Sequence, residues 1–165
     1  MAKKSSGAPT TAATVVLQRA GIRFTPHSYA HDPAVTDFGA EAARELGIEA
    51  ARIFKTLMVT TDAGGFGIGI VPVDSLLDLK ALAAALGGKK AELADPKVAE
   101  RKSGYVVGGI SPVGQKTPLP TVLDESAAGF ETILVSGGRR GFDLELAPGD
   151  LLAVTKGSYG SIRRG

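Results

Sequence analysis

The chain has 165 residues, of which 44% are hydrophobic and 22% are charged, and these proportions predict one folded domain rather than global disorder. It has no cysteine and only two histidines, which excludes a disulfide scaffold, cysteine-ligated zinc and a cysteine nucleophile supplied by the protein. The net charge of +2 is uneven, since residues 79–116 carry seven basic and three acidic residues, whereas residues 32–78 carry three basic and eight acidic ones. The basic part permits contact with a polyanion, and a solvated surface of mixed sign is the alternative.

The ends of the chain differ from its middle in composition. Residues 1–9 contain lysine, serine, glycine and proline without an apolar core region, so we expect a flexible leader rather than a signal peptide. Residues 10–161 are expected to form a single domain, and residues 162–165 a basic tail. No apolar run approaches the 18 or so residues of a membrane span, which predicts a cytoplasmic protein without membrane contact.

The N-terminal half of the sequence predicts alternating helices and strands. Threonine or aspartate precedes the helical segments, with Thr10 and Thr11 before the first, and glycines follow several of them, as capping requires. The clearest strand ends at an Asp-Ala-Gly-Gly turn, which predicts a hairpin with the apolar segment that follows. In chain order we expect a helix at 12–20, an edge strand at 23–30, a helix at 36–46, hairpin strands at 53–61 and 66–73, and a helix at 79–86 led by Asp74 or Ser75.

The C-terminal half predicts shorter elements. Asp95 and Pro96 indicate the start of a fourth helix, because proline fits the first helical turn. Residues 105–107 are expected to form a short strand that enters a loop rich in glycine and proline, extending to Pro120. Strand-like or turn segments are expected at 132–136, 142–146 and 151–155. Hairpins and helices in one chain predict an α+β domain around a mixed sheet.

Lys55 is the unusual residue of the clearest strand. Side chains alternate along a strand, so Lys55 shares a face with three apolar residues, Ile53, Leu57 and Val59. Burying an ammonium group is costly unless it has a partner or faces a cavity. The pattern therefore fits a lysine in a ligand pocket, where it would bind a phosphate or polarise a carbonyl, and it also fits an edge-strand lysine that prevents aggregation.

Two glycine-rich segments, residues 108–114 and 136–143, are the other candidates for a binding site. Glycines let the backbone approach a ligand, and consecutive N–H groups could hold a carbonyl or phosphate oxygen. Arg139 and Arg140 in the second segment could reach phosphates. Ser136 has no histidine near it in sequence, which disfavours a serine nucleophile. Ordinary turns are the alternative interpretation of both segments.

Two further patterns have more than one interpretation. His27, Tyr29 and His31 alternate onto one strand face beside Asp32, but no further metal ligand is evident, so a pocket wall containing Tyr29 is favoured over a metal site. The glycine pair at residues 67 and 69 leaves one strand face without side chains. That face fits a ligand floor or the close packing of a helix.

Taken together, these segments resemble the YbaK family of freestanding aminoacyl-tRNA deacylases, specifically its Cys-tRNA(Pro) deacylase branch. The resemblance extends from about Thr10 to Ser161, and its most specific part is the lysine strand followed by the glycine–proline loop. The same fold also occurs as an editing domain within prolyl-tRNA synthetases. The segments that carry the resemblance are residues 29–32, 36–39, 53–57, 108–112 and 136–143.

The resemblance implies a fold, a site and a reaction. The fold would be an open barrel-like mixed sheet flanked by helices, and the reaction would remove a wrong amino acid from tRNA without a cofactor or a metal. Lys55 would be the catalytic residue, near the 3′-terminal adenosine or the ester. The substrate-binding residues would be Tyr29, Phe38, Gly108, Gly109, Ile110, Ser111, Pro112, Ser136 and Asp143.

The same resemblance implies a substrate and a partner. In the cysteine-specific branch the thiol of the substrate attacks its own ester carbonyl and releases a cyclic thiolactone. This chain would then clear Cys-tRNA(Pro), and also Cys-tRNA(Cys), in a transient complex with prolyl-tRNA synthetase, because its small net charge predicts weak binding to tRNA alone. The alternatives are a deacylase for Ala-tRNA(Pro) or another small mischarged residue, and a non-catalytic module that binds tRNA ends or nucleotides.

Overall fold

The computed structural model describes residues 8–165, which contain five α-helices and ten β-strands. Residues 1–7 of the predicted leader lie outside the described residues. The helices are α1 (Ala12–Arg19), α2 (Phe38–Leu46), α3 (Leu79–Ala85), α4 (Pro96–Ser103) and α5 (Pro148–Thr155). The strands are β1 (Thr25–Ser28), β2 (Phe54–Thr61), β3 (Phe66–Pro72), β4 (Leu76–Leu77), β5 (Ala91–Leu93), β6 (Thr121–Asp124), β7 (Ile133–Arg139), β8 (Phe142–Leu146), β9 (Ser158–Gly160) and β10 (Arg163–Arg164).

Three of the predicted helix starts are capped by side chains. Thr11 accepts a hydrogen bond from the Thr14 N–H, Asp37 from the Ala40 N–H, and Asp95 from the Lys97 N–H. These bonds satisfy donors that the first helical turn leaves unpaired. The N-terminal boundaries of α1, α2 and α4 therefore follow from local sequence.

The strands form two main sheets. The larger sheet has the order β5-β2-β3-β6-β9, in which β5, β2 and β3 are antiparallel neighbours and β6 runs parallel to both β3 and β9. The smaller sheet, β1-β8-β7, is antiparallel, and β1 lies at its edge as predicted. A parallel bridge between Ile53 and Leu134 joins the sheets at one point. The predicted α+β class with a mixed sheet is confirmed, and the sheet is open rather than a closed barrel.

Apolar side chains fill the space on both sides of the larger sheet. On one side, Phe54 and Ile70 belong to a core cluster that includes Phe142 from the smaller sheet and Leu17 from α1. On the other side, α3 packs against the β2–β3 hairpin over the face that the glycine pair leaves bare. A Cβ atom at Gly69 would lie 2.8 Å from the Leu82 Cδ2 atom, so this face serves helix packing and not a ligand floor.

The structure differs from the sequence prediction mainly in the C-terminal half. Residues 151–155, predicted as a strand-like or turn segment, belong to α5, which begins at Pro148 and buries Leu151. Residues 105–107 are not a strand, because the buried Tyr105 hydroxyl donates to the Val113 carbonyl (2.6 Å) and holds this segment in a loop. The cap of α3 is Asp78, not Asp74 or Ser75.

Several short strands were not predicted. They are β4, β5, β6, β9 and β10. Residues 162–165, predicted as a basic tail, contain β10, and the Ile162 side chain is buried in the cluster beside α3. Among residues 8–165 there is no helix whose length and apolar character would let it cross a membrane.

Candidate active site

A cavity of about 430 Å³ lies between the two sheets, alongside β2. Its wall is formed by β2, by the starts of α2 and α4, by β7 and β8, and by Val107, Gly108 and Ile110. Most of its lining is apolar, with few polar side chains, as is usual for small-molecule sites. The lining includes seven residues predicted from the sequence: Tyr29, Phe38, Lys55, Gly108, Ile110, Ser136 and Asp143.

The cavity lies against an unpaired stretch of the β2 edge. Strand β5 pairs with β2 only at residues 59–61, and the backbone of β7 pairs only with Ile53, the residue before β2. The Val73 N–H donates to the Ile53 carbonyl, and the Thr61 N–H donates to the Gly65 carbonyl. Hydrogen-bonded and non-hydrogen-bonded residue pairs alternate along an antiparallel ladder, so the odd-numbered residues from 53 to 61 are the ones whose backbone groups face β3. It follows that the backbone polar groups of Thr56 face away from β3. The Thr56 hydroxyl oxygen is also buried without a hydrogen-bond partner among the described residues.

Lys55 lines this cavity from β2. Its side chain is partly exposed, and within residues 8–165 it makes no ion pair or hydrogen bond. The structure therefore places the lysine at a cavity beside an open strand edge, with its ammonium group free to bind an anion or a polarised oxygen.

Ser136 and Asp143 face each other across β7 and β8. They are direct partners in the antiparallel register, so their side chains lie on the same face of the smaller sheet. The Ser136 hydroxyl oxygen accepts the Gly138 N–H (3.2 Å), whereas the Asp143 carboxyl group makes no hydrogen bond within the described residues. Burial raises the pKa of Asp143 to about 7. A cationic group in the cavity would favour its ionised form.

Tyr29 and Phe38 complete the wall nearest Asp143. Burial, reinforced by the negative charge of Asp143, raises the pKa of Tyr29 to about 12, so its phenol remains a neutral hydrogen-bond donor. Phe38 begins α2, and its ring centroid lies 5.6 Å from that of His31 and 4.9 Å from the guanidinium carbon of Arg140. The Phe38 ring is therefore held by its surroundings.

The glycine loop contributes two residues to the lining and three residues behind it. Gly108 and Ile110 line the cavity, and their backbone N–H groups have no acceptor within residues 8–165. The Gly109 N–H instead donates to the Val106 carbonyl (2.8 Å). Gly109, Ser111 and Pro112 are buried and do not line the cavity. Donors for an oxygen of the ligand are thus available at alternate residues of the loop and not at consecutive ones.

The two histidines pair with glutamates outside the cavity lining. His27 Nε2 lies 2.7 Å from Glu145 Oε1, and His31 Nδ1 lies 2.6 Å from Glu41 Oε1. Burial opposes ionisation of Glu41, but hydrogen bonds from the Asp32 N–H and from His31 lower its pKa overall. Within residues 8–165, no group of three or more His, Cys, Asp and Glu residues is arranged to hold a metal ion. The histidines brace the wall that carries Tyr29 and Phe38.

Some lining residues were not identified from the sequence. Thr56 and Met58 of β2 line the cavity together with Ala94 and Pro96, and only tertiary contacts bring these two segments to one wall. The one local signal was the helix start at Asp95 and Pro96, which indicated the helix without indicating its neighbour.

The ionisation of Asp143 gives a testable pH dependence of stability. Because its pKa rises from 3.8 to about 7 on folding, the native protein binds more protons than the unfolded chain between those values. The free energy of unfolding associated with this group therefore falls as the pH rises from about 4 to about 7. Asp143→Asn is expected to remove this contribution, measured by urea unfolding of both proteins across that range. Parallel pH profiles for the two proteins would contradict the assignment.

Both the sequence and the fold match known proteins. The family model for the aminoacyl-tRNA editing domain matches residues 32–154. EbsC of Enterococcus faecalis, proposed to be a Cys-tRNA(Pro)/Cys-tRNA(Cys) deacylase, is 39% identical over 163 residues, which cover 98% of each chain. A crystal structure of a proposed trans-editing enzyme for prolyl-tRNA synthetase superposes with a TM-score of 0.79 at 27% identity, covering 96% of this chain and 100% of that one. A crystal structure of a protein described as hypothetical has a TM-score of 0.83 at 26% identity, covering 93% and 100%.

Proposed function

Because the chain belongs to the aminoacyl-tRNA editing domain family, we propose that it is a trans-editing deacylase that removes cysteine from mischarged tRNA(Pro), and also from tRNA(Cys). The observation that carries this proposal is Lys55, whose ammonium group has no partner among the described residues, in the same cavity as the Gly108 and Ile110 N–H groups, which have no acceptor there. These are the groups that stabilise negative charge on the oxygens of an ester during cleavage. The relative with 39% identity supports cysteine as the amino acid.

The charges of the cavity suit an aminoacyl group. A cysteinyl ester carries an α-ammonium group, and Asp143 is a buried carboxyl group in the lining without a hydrogen-bond partner among the described residues. We assign Asp143 to bind this ammonium group, and Tyr29, Phe38 and Ser136 to confine the amino acid beside it. Lys55 binds near the ester or the terminal adenosine.

The substrate supplies the nucleophile in this mechanism. The cysteinyl sulfur attacks the ester carbonyl carbon, so that a C–S bond forms and the C–O bond to the ribose breaks. The thiol proton is transferred to the departing ribose oxygen, leaving a cyclic thiolactone and tRNA with a free hydroxyl group. The attack is intramolecular, and the protein accelerates it mainly by holding the sulfur near the carbonyl carbon in the reactive orientation.

The lining side chains support this assignment. The hydroxyl groups that reach the cavity belong to Thr36, Thr56, Ser136 and Tyr29, and neither histidine lines it. A serine or threonine nucleophile is commonly activated by an adjacent imidazole group, and the carboxyl group opposite Ser136, that of Asp143, is assigned here to the substrate ammonium group. A reaction that uses the thiol of the substrate does not require an imidazole group. This difference also provides selection against alanine, which fits a small cavity but has no thiol.

A partner synthetase would compensate for weak RNA binding. With a net charge of +2, the chain neutralises few phosphates on its own. The similarity to a proposed trans-editing enzyme for prolyl-tRNA synthetase supports a transient complex with that synthetase. The proposed substrates of this chain are aminoacyl-tRNAs, which supply translation, and this supports the predicted cytoplasmic location. Equal activity and tRNA affinity with and without the synthetase at physiological salt would count against the complex.

Steady-state deacylation with two substrates tests the proposed function. Purified protein is mixed with an excess of labelled Cys-tRNA(Pro) or Ala-tRNA(Pro), and release of the amino acid is followed. We expect many turnovers per protein molecule with the cysteinyl substrate and at least about 100-fold slower release of alanine, the scale of a lost catalytic group. Preferential release of alanine would support the small-residue alternative, and binding without turnover would support a non-catalytic module.

A further inference from the structure

Arg140 connects three parts of the cavity rim. Its Nε–H donates to the Val107 carbonyl oxygen (2.8 Å), which immediately precedes the glycine loop. Its guanidinium carbon lies 4.9 Å from the centroid of the Phe38 ring, which lines the cavity from α2. Arg140 itself lies in the turn between β7 and β8, one residue after β7 ends and two residues before β8 begins, so one side chain ties this turn to the loop and to α2.

The backbone beneath Arg140 is equally close to the loop. A Cβ atom at Gly109 would lie 2.7 Å from the Arg139 Cα atom and 2.9 Å from the Arg140 backbone nitrogen. A Cβ atom at Gly108 would lie 2.8 Å from the Phe38 ring and 2.9 Å from Arg140 Nε. The turn and the loop are therefore in direct contact, and the side chain of Arg140 covers the junction.

Only part of the Arg140 guanidinium group makes hydrogen bonds with the described residues. The residue is exposed, and its two terminal NH₂ groups make no hydrogen bond or ion pair within residues 8–165. The Nε–H bond and the aromatic contact fix the plane of the group, so little conformational entropy is lost when the free NH₂ groups bind a ligand. Two NH₂ groups in a fixed plane match the geometry of a phosphate.

We propose that Arg140 positions the glycine loop and binds a phosphodiester at the 3′ end of the RNA substrate. This inference rests on the proposed function, because an aminoacyl ester held in the cavity leaves the nearest phosphodiester of the same strand outside the rim. Arg139 is the natural comparison, since it is adjacent and exposed but its side chain makes no hydrogen bond or ion pair among the described residues. We therefore expect substitution of Arg140 to impair RNA binding and deacylation more than substitution of Arg139, although the two side chains are chemically identical.

Three variants separate the two roles of Arg140. Glutamine has its amide nitrogen as many bonds from the backbone as Arg140 Nε, so Arg140→Gln retains a donor for the Val107 carbonyl and loses the charge. We expect this variant to keep kcat within about threefold, to raise KM about tenfold, and to reduce the salt slope of log kcat/KM by about 0.7, the value for one phosphate contact on a single strand. Arg140→Ala is expected to lower kcat as well, whereas Arg139→Ala is expected to remain within twofold of the wild type.

The measurement is the deacylation of Cys-tRNA(Pro) by all four proteins between about 50 and 200 mM salt, with thermal unfolding as a control for folding. An unchanged KM and salt slope in Arg140→Gln, or an equal loss in Arg139→Ala, would overturn the proposal. Binding of uncharged tRNA(Pro) is measured in parallel, so that the inference can be judged separately from the deacylase activity. A smaller salt slope for Arg140→Gln in binding supports the phosphate contact even if the wild type releases no cysteine, and an unchanged slope refutes it.

Discussion

We expect Lys55→Ala to lower kcat/KM for deacylation of Cys-tRNA(Pro) by about 100- to 1,000-fold, the usual effect of removing one group that stabilises an oxyanion. Lys55 lines the cavity and has no partner among the described residues, so its charge is available to the ester or to the departing ribose oxygen. No side-chain ion pair or hydrogen bond within residues 8–165 is lost with it. The thermal midpoint of the variant is therefore expected to equal or exceed that of the wild type.

Two further variants make this result specific. Lys89→Ala removes an exposed lysine whose hydrogen bond to Asp62 comes from the backbone, so it keeps the fold and loses one positive charge elsewhere. Lys55→Met keeps the length and packing of the side chain without the ammonium group. Both Lys55 variants are expected to lose activity while Lys89→Ala retains it. A Lys55→Ala protein within threefold of the wild type would remove Lys55 from the mechanism.

Gly109→Ala is expected to have the second largest effect, although Gly109 does not line the cavity. The new Cβ atom would meet backbone atoms of Arg139 and Arg140, which cannot rotate away as a flexible side chain can. The loop and the β7–β8 turn would separate, moving the backbone N–H groups of Gly108 and Ile110. We expect activity to fall about 100-fold, because displacement of about 1 Å costs that much in catalysis, and the free energy of unfolding to fall by about 1–3 kcal/mol.

Gly129→Ala provides the control for this substitution. A Cβ atom at Gly129 would have no heavy atom within 4 Å, and its backbone does not have a positive φ angle. Its stability and activity are expected to match those of the wild type. If Gly109→Ala showed the same activity as Gly129→Ala at a temperature where both are folded, the loop position would not matter for the reaction.

The parts of the fold that were predicted correctly depend on local signals. Asp37 and Asp95 cap their helices through their own side chains, and the β2–β3 hairpin follows from two apolar segments around a glycine-containing turn. Lys55 was identified because its neighbours in the alternating pattern are apolar. Each of these signals is contained within a few residues.

The remaining features depend on contacts between distant segments. Residues 151–155 contain leucine, valine and threonine, which suit a strand as well as a helix, and burial of Leu151 against the core decides for α5. The open edge of β2 exists because β5 pairs with only its last residues. The contact between Gly109 and the turn that carries Arg140 joins segments about thirty residues apart in sequence. Pro148 in the first turn is a local signal for α5 that the sequence analysis did not use, but no local pattern indicates the other two features.

The most direct test of a thiol supplied by the substrate compares Cys-tRNA(Pro) with 2-aminobutyryl-tRNA(Pro), in which a methyl group replaces the thiol. The two side chains are similar in size, so both are expected to enter the cavity, and only the cysteinyl group can attack its own ester. The mechanism predicts rapid multiple turnover of Cys-tRNA(Pro), with thiolactone among the early products, and release of 2-aminobutyrate no faster than without protein. Comparable turnover of both substrates would contradict it, because water or a group of the protein would then be the nucleophile.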